Sequence, residues 1–295
     1  MSGATGPRPA VVVGVDGSDP SRRAARWAAV EAAARGTTLR LVSAWQAPVL
    51  TTWATLATPG VDPTVFERSA RETLDEVVRE LRAAFGDGAP ELAAETVEGL
   101  PRDVLLGAAR GEALLVVGTR GRGGLARAVL GSVSAACAHH TPVPLAVIGE
   151  GAPDPGSGDL VVGFDGSPGA EAALRWAVVD ARATGAAVRV VHGWAARVGE
   201  PDGIPPDGTV VGDLTAAVER AVADALAGLD ALPRITVQVV PRAAAPALVA
   251  GAEGAGALVV GTRGHGGFVG LLLGSVSQAC LHHAPGPVVI VPPAQ

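Results

Sequence analysis

The sequence predicts an α/β protein made of two tandem, doubly wound domains, each a parallel sheet flanked by helices. Three observations predict it. The 295 residues exceed one ordinary domain and suit two of roughly 140–150. The chain is also written twice, as duplicated units are: Val11-Val12-Val13-Gly14-Val15-Asp16-Gly17-Ser18 returns as Leu160-Val161-Val162-Gly163-Phe164-Asp165-Gly166-Ser167, and Gly118-Thr119-Arg120-Gly121 as Gly261-Thr262-Arg263-Gly264. Within each copy, finally, apolar β-branched runs alternate with helical patterns, which implies a parallel sheet with crossover helices. Those runs are near-continuously hydrophobic, as strands covered on both faces are.

Taken in order, residues 10–15 form the first strand, and Asp19–Arg35 a helix that Ser18 is placed to cap and Gly36 to end. A second strand follows at 39–44. Residues 63–85 read as an amphipathic helix with Phe66, Ala70, Leu74, Val77, Leu81 and Ala84 on one face. A strand at 95–97, a helix at 101–110, a strand at Leu114–Gly118, a helix at Ser132–His140 and a fifth strand at Leu145–Ile148 complete the half. The second half repeats this, with residues 213–229 as its long helix; the stretches between 46 and 62 and between 195 and 212 read as loops able to cover a site. The domains are accordingly 1–149 and 159–295, joined by a Gly-, Pro- and Asp-rich linker at 150–158. Trp27 and Trp176 fall inside helices and are expected in the core.

Composition excludes several classes. With 48% hydrophobic and 18% charged residues a sizeable core is available, so the chain is globular and not disordered. A net charge of −6 argues against a general nucleic-acid binder, and 3% aromatics without tyrosine against a base-stacking platform. All 23 basic residues are arginine, which removes Schiff-base chemistry and the lysines of phosphate-binding and kinase motifs. Two cysteines, Cys137 and Cys280, make no disulfide framework. The opening residues lack a basic and then apolar leader, and every apolar run breaks before the ~18 residues a membrane span needs. A cytoplasmic protein without membrane or nucleic-acid partners is expected.

The chemistry concentrates on the strand-to-helix loops. Gly118-x-x-Gly121, then nine residues, then Gly131-Ser132 follows a buried strand and precedes a helix. Glycines let a backbone pass close to a ligand, and a helix start points free N–H groups and a positive dipole end at it. A phosphate chain is the natural occupant. Ser132 and Ser134 hydroxyls could add donors, and Arg120 and Arg122 charge; the second copy offers Gly261, Arg263, Gly264, His265, Gly274, Ser275 and Ser277. With Arg122 replaced by His265 and Arg127 by Gly270, the first site is expected to bind more tightly. Asp16 and Asp165 end the first strand of each half, where a carboxylate can accept ribose hydroxyls or a base amino group, or else only stabilise the next helix through its dipole. The adjacent pairs His139-His140 and His282-His283 diverge by about 100° on a helix and cap carbonyls more readily than they chelate a metal. The cysteines read as small buried side chains or, alternatively, redox sensors.

Together, the Gly-x-x-Gly-x9-Gly-Ser pattern, the Val-Gly-x-Asp-Gly-Ser opening and the closing Pro-Val-Ile-Val-like strand resemble the universal stress protein family in its tandem form, over essentially all of residues 11–292. The resemblance implies five-stranded parallel domains binding ATP or a related adenine nucleotide, with Mg²⁺ as an option. Asp16 and Asp165 would contact the adenosine part; Gly118, Gly121, Gly261 and Gly264 would approach ribose and phosphates. Gly131, Ser132, Val133 and Ser134, and Gly274, Ser275, Val276 and Ser277, would bind the phosphates, beside Arg120 and Arg263. Backbone groups of Val42 or Ser43, and of Val191 or His192, would edge the base. The final strands, otherwise exposed edges, would pair across a two-fold axis into an internal pseudo-dimer, with pairing of two chains a further option. The implied function is a nucleotide-dependent regulatory or binding module of the stress response. Alternatives are a slow Mg²⁺-dependent ATPase and a scaffold with vestigial sites; no catalytic or metal-ligating set stands out.

Overall fold

The computed structural model describes residues 8–47, 62, 64–119, 130–153, 156–194, 208–265 and 273–293. In the first half they form β1 (Val11–Gly14), α1 (Asp19–Arg35), β2 (Leu39–Trp45), α2 (Thr64–Phe85), β3 (Leu92–Glu98), α3 (Pro101–Ala108), β4 (Leu114–Gly118), α4 (Ser132–His140) and β5 (Leu145–Ile148). The second half gives β6 (Leu160–Gly163), α5 (Pro168–Thr184), β7 (Val188–Gly193), α6 (Gly208–Ala225), β8 (Ile235–Val240), α7 (Ala244–Gly251), β9 (Ala257–Gly261), α8 (Ser275–His283) and β10 (Val288–Val291).

All ten strands share one sheet in the order β3-β2-β1-β4-β5-β10-β9-β6-β7-β8. Pairing is parallel within each half and antiparallel only where β5 meets β10, with Val147 opposite Val288, Ala146 opposite Val289 and Leu145 opposite Ile290. The two edges therefore close each other, and the internal pseudo-dimer is present. Each half winds outward in both directions from its first strand, so a crevice opens at the strand C-termini between β1 and β4 and again between β6 and β9.

Period-two alternation explains the two core layers. Val11, Val13, Leu39 and Leu41 face one way, against Trp27, Ala28, Leu74 and Val77 of α1 and α2. Val12, Val42 and Leu115 face the other way, against Leu105, Cys137 and Ala138 of α3 and α4. The second half repeats both layers through α5 and α6 and through α7 and α8. Because both faces are covered, the central strands are apolar throughout, and each fully buried leucine there contributes roughly 1.5–3 kcal/mol.

Four expectations need correcting. The strand expected at 95–97 runs from Leu92 to Glu98; it is an outer edge with exposed residues, so its pattern lacks the apolar run. The long second-half helix spans Gly208–Ala225 instead of 213–229, so residues 208–212 are helix and not loop. After Ala225 the chain closes in turns, Leu226 N–H donating to Val222 O and Leu229 N–H to Leu226 O. The helix expected at 101–110 stops at Ala108. Trp27 is core at 5% exposure, whereas Trp176 is half-buried, with the Arg35 guanidinium 5.3 Å from its ring centre. The covering loops fall mostly at 48–61 and 195–207, outside the described residues.

Where α1 meets α5, duplication has a local consequence. Glu31 and Asp180 each lie four residues beyond the matched tryptophans Trp27 and Trp176, so the pseudo-two-fold axis brings equivalent carboxylates together. They are 4% and 1% exposed, and one guanidinium serves both: Arg35 Nε lies 3.4 Å from Glu31 Oε2, and Arg35 Nη2 contacts Asp180 Oδ1. Burial pushes the Glu31 carboxyl well above the ordinary glutamate range; the facing Asp180 adds to this and Arg35 offsets part of it. Among the described residues no helix is long and apolar enough to cross a membrane.

Candidate functional site

The second-half crevice is built from its glycines outward. A Cβ on Gly261 would sit 2.6 Å from the backbone of Gly169, so only glycine lets the end of β9 pass the start of α5. From there Gly274 N–H donates to Thr262 O at 2.7 Å, closing the strand-to-helix loop. Ser277, 4% exposed, donates its hydroxyl to Gly261 O at 2.6 Å and ties the first turn of α8 to the strand. Helix α8 starts after Gly274 with no side-chain cap, so its first N–H groups and dipole end are left for the crevice. Helix α5, by contrast, is capped by the Ser167 hydroxyl, which accepts from Ala170 N–H at 3.2 Å.

Asp165 lies between these helix starts. Its Oδ1 accepts from Ser167 N–H at 3.0 Å and its Oδ2 from His265 N–H at 3.2 Å. A side chain at Gly264 would collide with that Oδ2, so the glycine is what lets the carboxylate reach across to the loop. Loss of solvent on one side pushes the Asp165 carboxyl up. Hydrogen bonds from the Ser167 hydroxyl and N–H and from His265 N–H outweigh it and hold the group below the ordinary carboxylate range. Around these residues opens a cleft of about 760 Å³, mouth included, bordered by Asp165, Arg263, Gly264, Ser275 and His192. Arg263 is exposed and has no carboxylate partner among the described residues. An anion fits at the α8 start beside Arg263, and a hydroxyl-bearing group beside Asp165.

The first half repeats the frame. A Cβ on Gly118 would lie 2.7 Å from the Pro20 carbonyl carbon; Gly131 N–H donates to Thr119 O at 2.7 Å, and α4 has no side-chain cap. Asp16 Oδ1 accepts from Ser18 N–H at 3.0 Å.

Against models of protein families, residues 8–149 and 158–292 each match "Universal stress protein family". The chain belongs to the universal stress protein family. Universal stress protein Rv2005c of Mycobacterium tuberculosis is 34% identical over 287 residues, covering 95% of this chain and 96% of its own. A Mycolicibacterium smegmatis universal stress protein is 32% identical over 290 residues, covering 96% and 97%. A solved universal stress protein from Archaeoglobus fulgidus has a TM-score of 0.65 at 20% identity, over 97% of this chain and 98% of that one; this likeness concerns the fold.

Within this universal stress protein, the residues singled out from sequence fall as follows. Asp165, Val191, Gly261, Arg263, Gly264, Gly274, Ser275, Val276 and Ser277 all border the one cleft. Gly118, Gly131, Ser132, Val133 and Ser134 occupy the matching strand end and helix start of the first half, and Asp16 follows β1. Arg120, Gly121, Arg122, Arg127 and Gly270 lie outside the described residues. One expected role changes. Ser134 donates its hydroxyl to Thr119 O and Gly131 O, both at 3.0 Å; with one proton each, Ser134 and Ser277 staple their loops and have none left for a ligand. The Val42 and Val191 carbonyls accept from Val15 and Phe164 N–H, at 2.9 and 3.1 Å, each using one of its two lone pairs. Sequence reasoning missed Gly193, Ala244 and Leu248 in the cleft wall; Gly193 and Ala244 were signalled by their place at a strand end and a helix start, whereas Leu248 lies mid-helix. Cys137 and Cys280 are fully buried, and burial pushes both thiols up to about 12, leaving them inert. The exposed rings of His139 and His140 stand 6.4 Å apart and tilted, and no cluster among the described residues could hold a metal.

Proposed function

We propose that this universal stress protein is a nucleotide-dependent binding module with an adenine-nucleotide site, ATP foremost, at the β-strand C-termini of each half. The observation that carries the reading is the second-half cleft, where the uncapped start of α8, Arg263 and Asp165 border one open space. Ser275, Val276 and Ser277 N–H groups would hold phosphates, Gly261 and Gly264 would let the backbone approach them, and Asp165 would accept from ribose hydroxyls. In the first half Gly118, Gly131, Ser132, Val133, Ser134 and Asp16 take the same parts, with Arg120 and Gly121. Domain limits of 1–149 and 159–295 belong to this reading. Bound Mg²⁺ would neutralise phosphate charge; the protein groups bind and orient.

Isothermal calorimetry of the full chain with ATP, with and without Mg²⁺, tests this. Two sites per chain are expected, with Arg263→Ala weakening one of them by about tenfold through loss of a charge-assisted contact. Absence of binding heat with ATP, ADP and AMP alike overturns the reading.

A further inference from the structure

His192, next to last in β7, is half-buried and borders the second-half cleft. Its Nδ1 lies 2.8 Å from Phe164 O. A carbonyl only accepts, so Nδ1 carries the hydrogen and, in the neutral ring, Nε2 presents a lone pair. Among the described residues nothing donates to Nε2. Among the described residues, then, the cleft contains a fixed acceptor that no protein group fills.

Strand order says which end of a ligand meets it. The sequence β9-β6-β7 puts the α8 start over β9, Asp165 over β6 and His192 over β7. Neighbouring strands are about 4.8 Å apart, so the anion end and His192 are separated by roughly 10 Å. A nucleotide with phosphate at α8 and ribose at Asp165 brings its base to β7. Resting on the nucleotide reading above, we infer that His192 is a specificity-determining residue of the second site, its Nε2 accepting a hydrogen bond from the exocyclic amino group of adenine. Guanine and hypoxanthine present a carbonyl oxygen at that ring position, lone pair against lone pair. The register pairs Val42 with Gly14 and Val191 with Gly163, so the first-half equivalent of His192 is Ser43. Ser43 is 3% exposed, and the device belongs to the second half.

An azido-ATP photoprobe crosslinked to the full-length protein, with labelled peptides of each half quantified by mass spectrometry, gives a site-resolved test. ATP and purine riboside triphosphate, which is ATP without the amino group, compete for labelling. On second-half peptides of the wild type, ATP is expected to compete at roughly tenfold lower concentration, the worth of one hydrogen bond in a desolvated site. His192→Phe, its fold checked by circular dichroism, brings that ratio to near one, and His192→Gln, whose amide oxygen also accepts, restores part of it. First-half peptides keep their ratio in both variants. A preference for ATP that persists in folded His192→Phe overturns the assignment and leaves the nucleotide reading standing. Wild-type protein without second-half labelling overturns both.

Discussion

The two halves carry the same frame around their crevices and different groups at the ends a ligand would touch. The loop-closing hydrogen bonds Gly131 N–H to Thr119 O and Gly274 N–H to Thr262 O are both 2.7 Å. Asp16 and Asp165 each accept from the serine two residues on at 3.0 Å. Ser134 and Ser277 staple the same turn, and Gly118 and Gly261 both pass a helix start too closely for a side chain. By contrast the position that holds Ser43 in the first half holds His192 in the second, and that of Arg35 holds Thr184. Backbone devices are constrained by sterics that any occupant shares, whereas end groups answer only to what binds or to what the partner half supplies. Duplication therefore kept the loops and let the ends diverge.

The largest expected effect comes from Arg35, whose matched position in the second half is Thr184. Arg35→Met leaves Glu31 and Asp180 buried against each other, so a loss of about 3–5 kcal/mol in urea unfolding is expected. Its pH dependence follows from Glu31. A carboxyl raised in the folded state holds a proton there that the unfolded chain has released, so stability falls as pH rises from about 4.3, the ordinary glutamate value, towards the raised one. Glu31→Gln should abolish that fall and make the protein more stable than wild type in neutral buffer. A wild-type and Glu31→Gln pair with parallel stability–pH curves would overturn the raised Glu31 carboxyl as the cause.

Next in size are the glycines that define the frame. Gly118→Val and Gly261→Val each push a side chain into backbone, at Pro20 and at Gly169, where neighbours cannot yield. Losses of about 3 kcal/mol or more are expected for each, read as shifts in urea midpoint. Equal losses sharpen the shared-frame comparison; a harmless substitution in either half breaks it.

How far the sequence carried depended on whether the cause was local. β4 and β5 were legible because burial on both faces leaves an unbroken apolar run, and α4 because Gly131 and His140 bracket it. The edge strand β3 was read short, since one exposed side admits Ala93 and Glu95. The crevice glycines announced themselves by repetition. The serine hydroxyls misled, because spacing places Ser134 at the loop without saying that its proton goes to Thr119 O. The Glu31–Asp180 contact depends on the pseudo-axis, which no local pattern encodes, while the Ser43-to-His192 change was visible once the repeated strands were set in register.

The smallest effect separates the outer helices. In the first half Arg22 joins α1 to α2, with Nη2 2.8 Å from Glu76 Oε2 and Nη1 against Glu80. The position four residues after Ser18 is Arg22, and four after Ser167 stands Glu171; among the described residues no ion pair joins α5 to α6. Glu76 is 49% exposed and Glu80 34%, so water screens both contacts, and Arg22→Ala should cost only about 0.5–1 kcal/mol. That cost should shrink towards zero in about 1 M salt, where screening reaches only ~3 Å. A loss of several kcal/mol that ignores salt would mean that Arg22 acts through packing of its stem on α2, and that the charge difference between the halves carries no stability of its own.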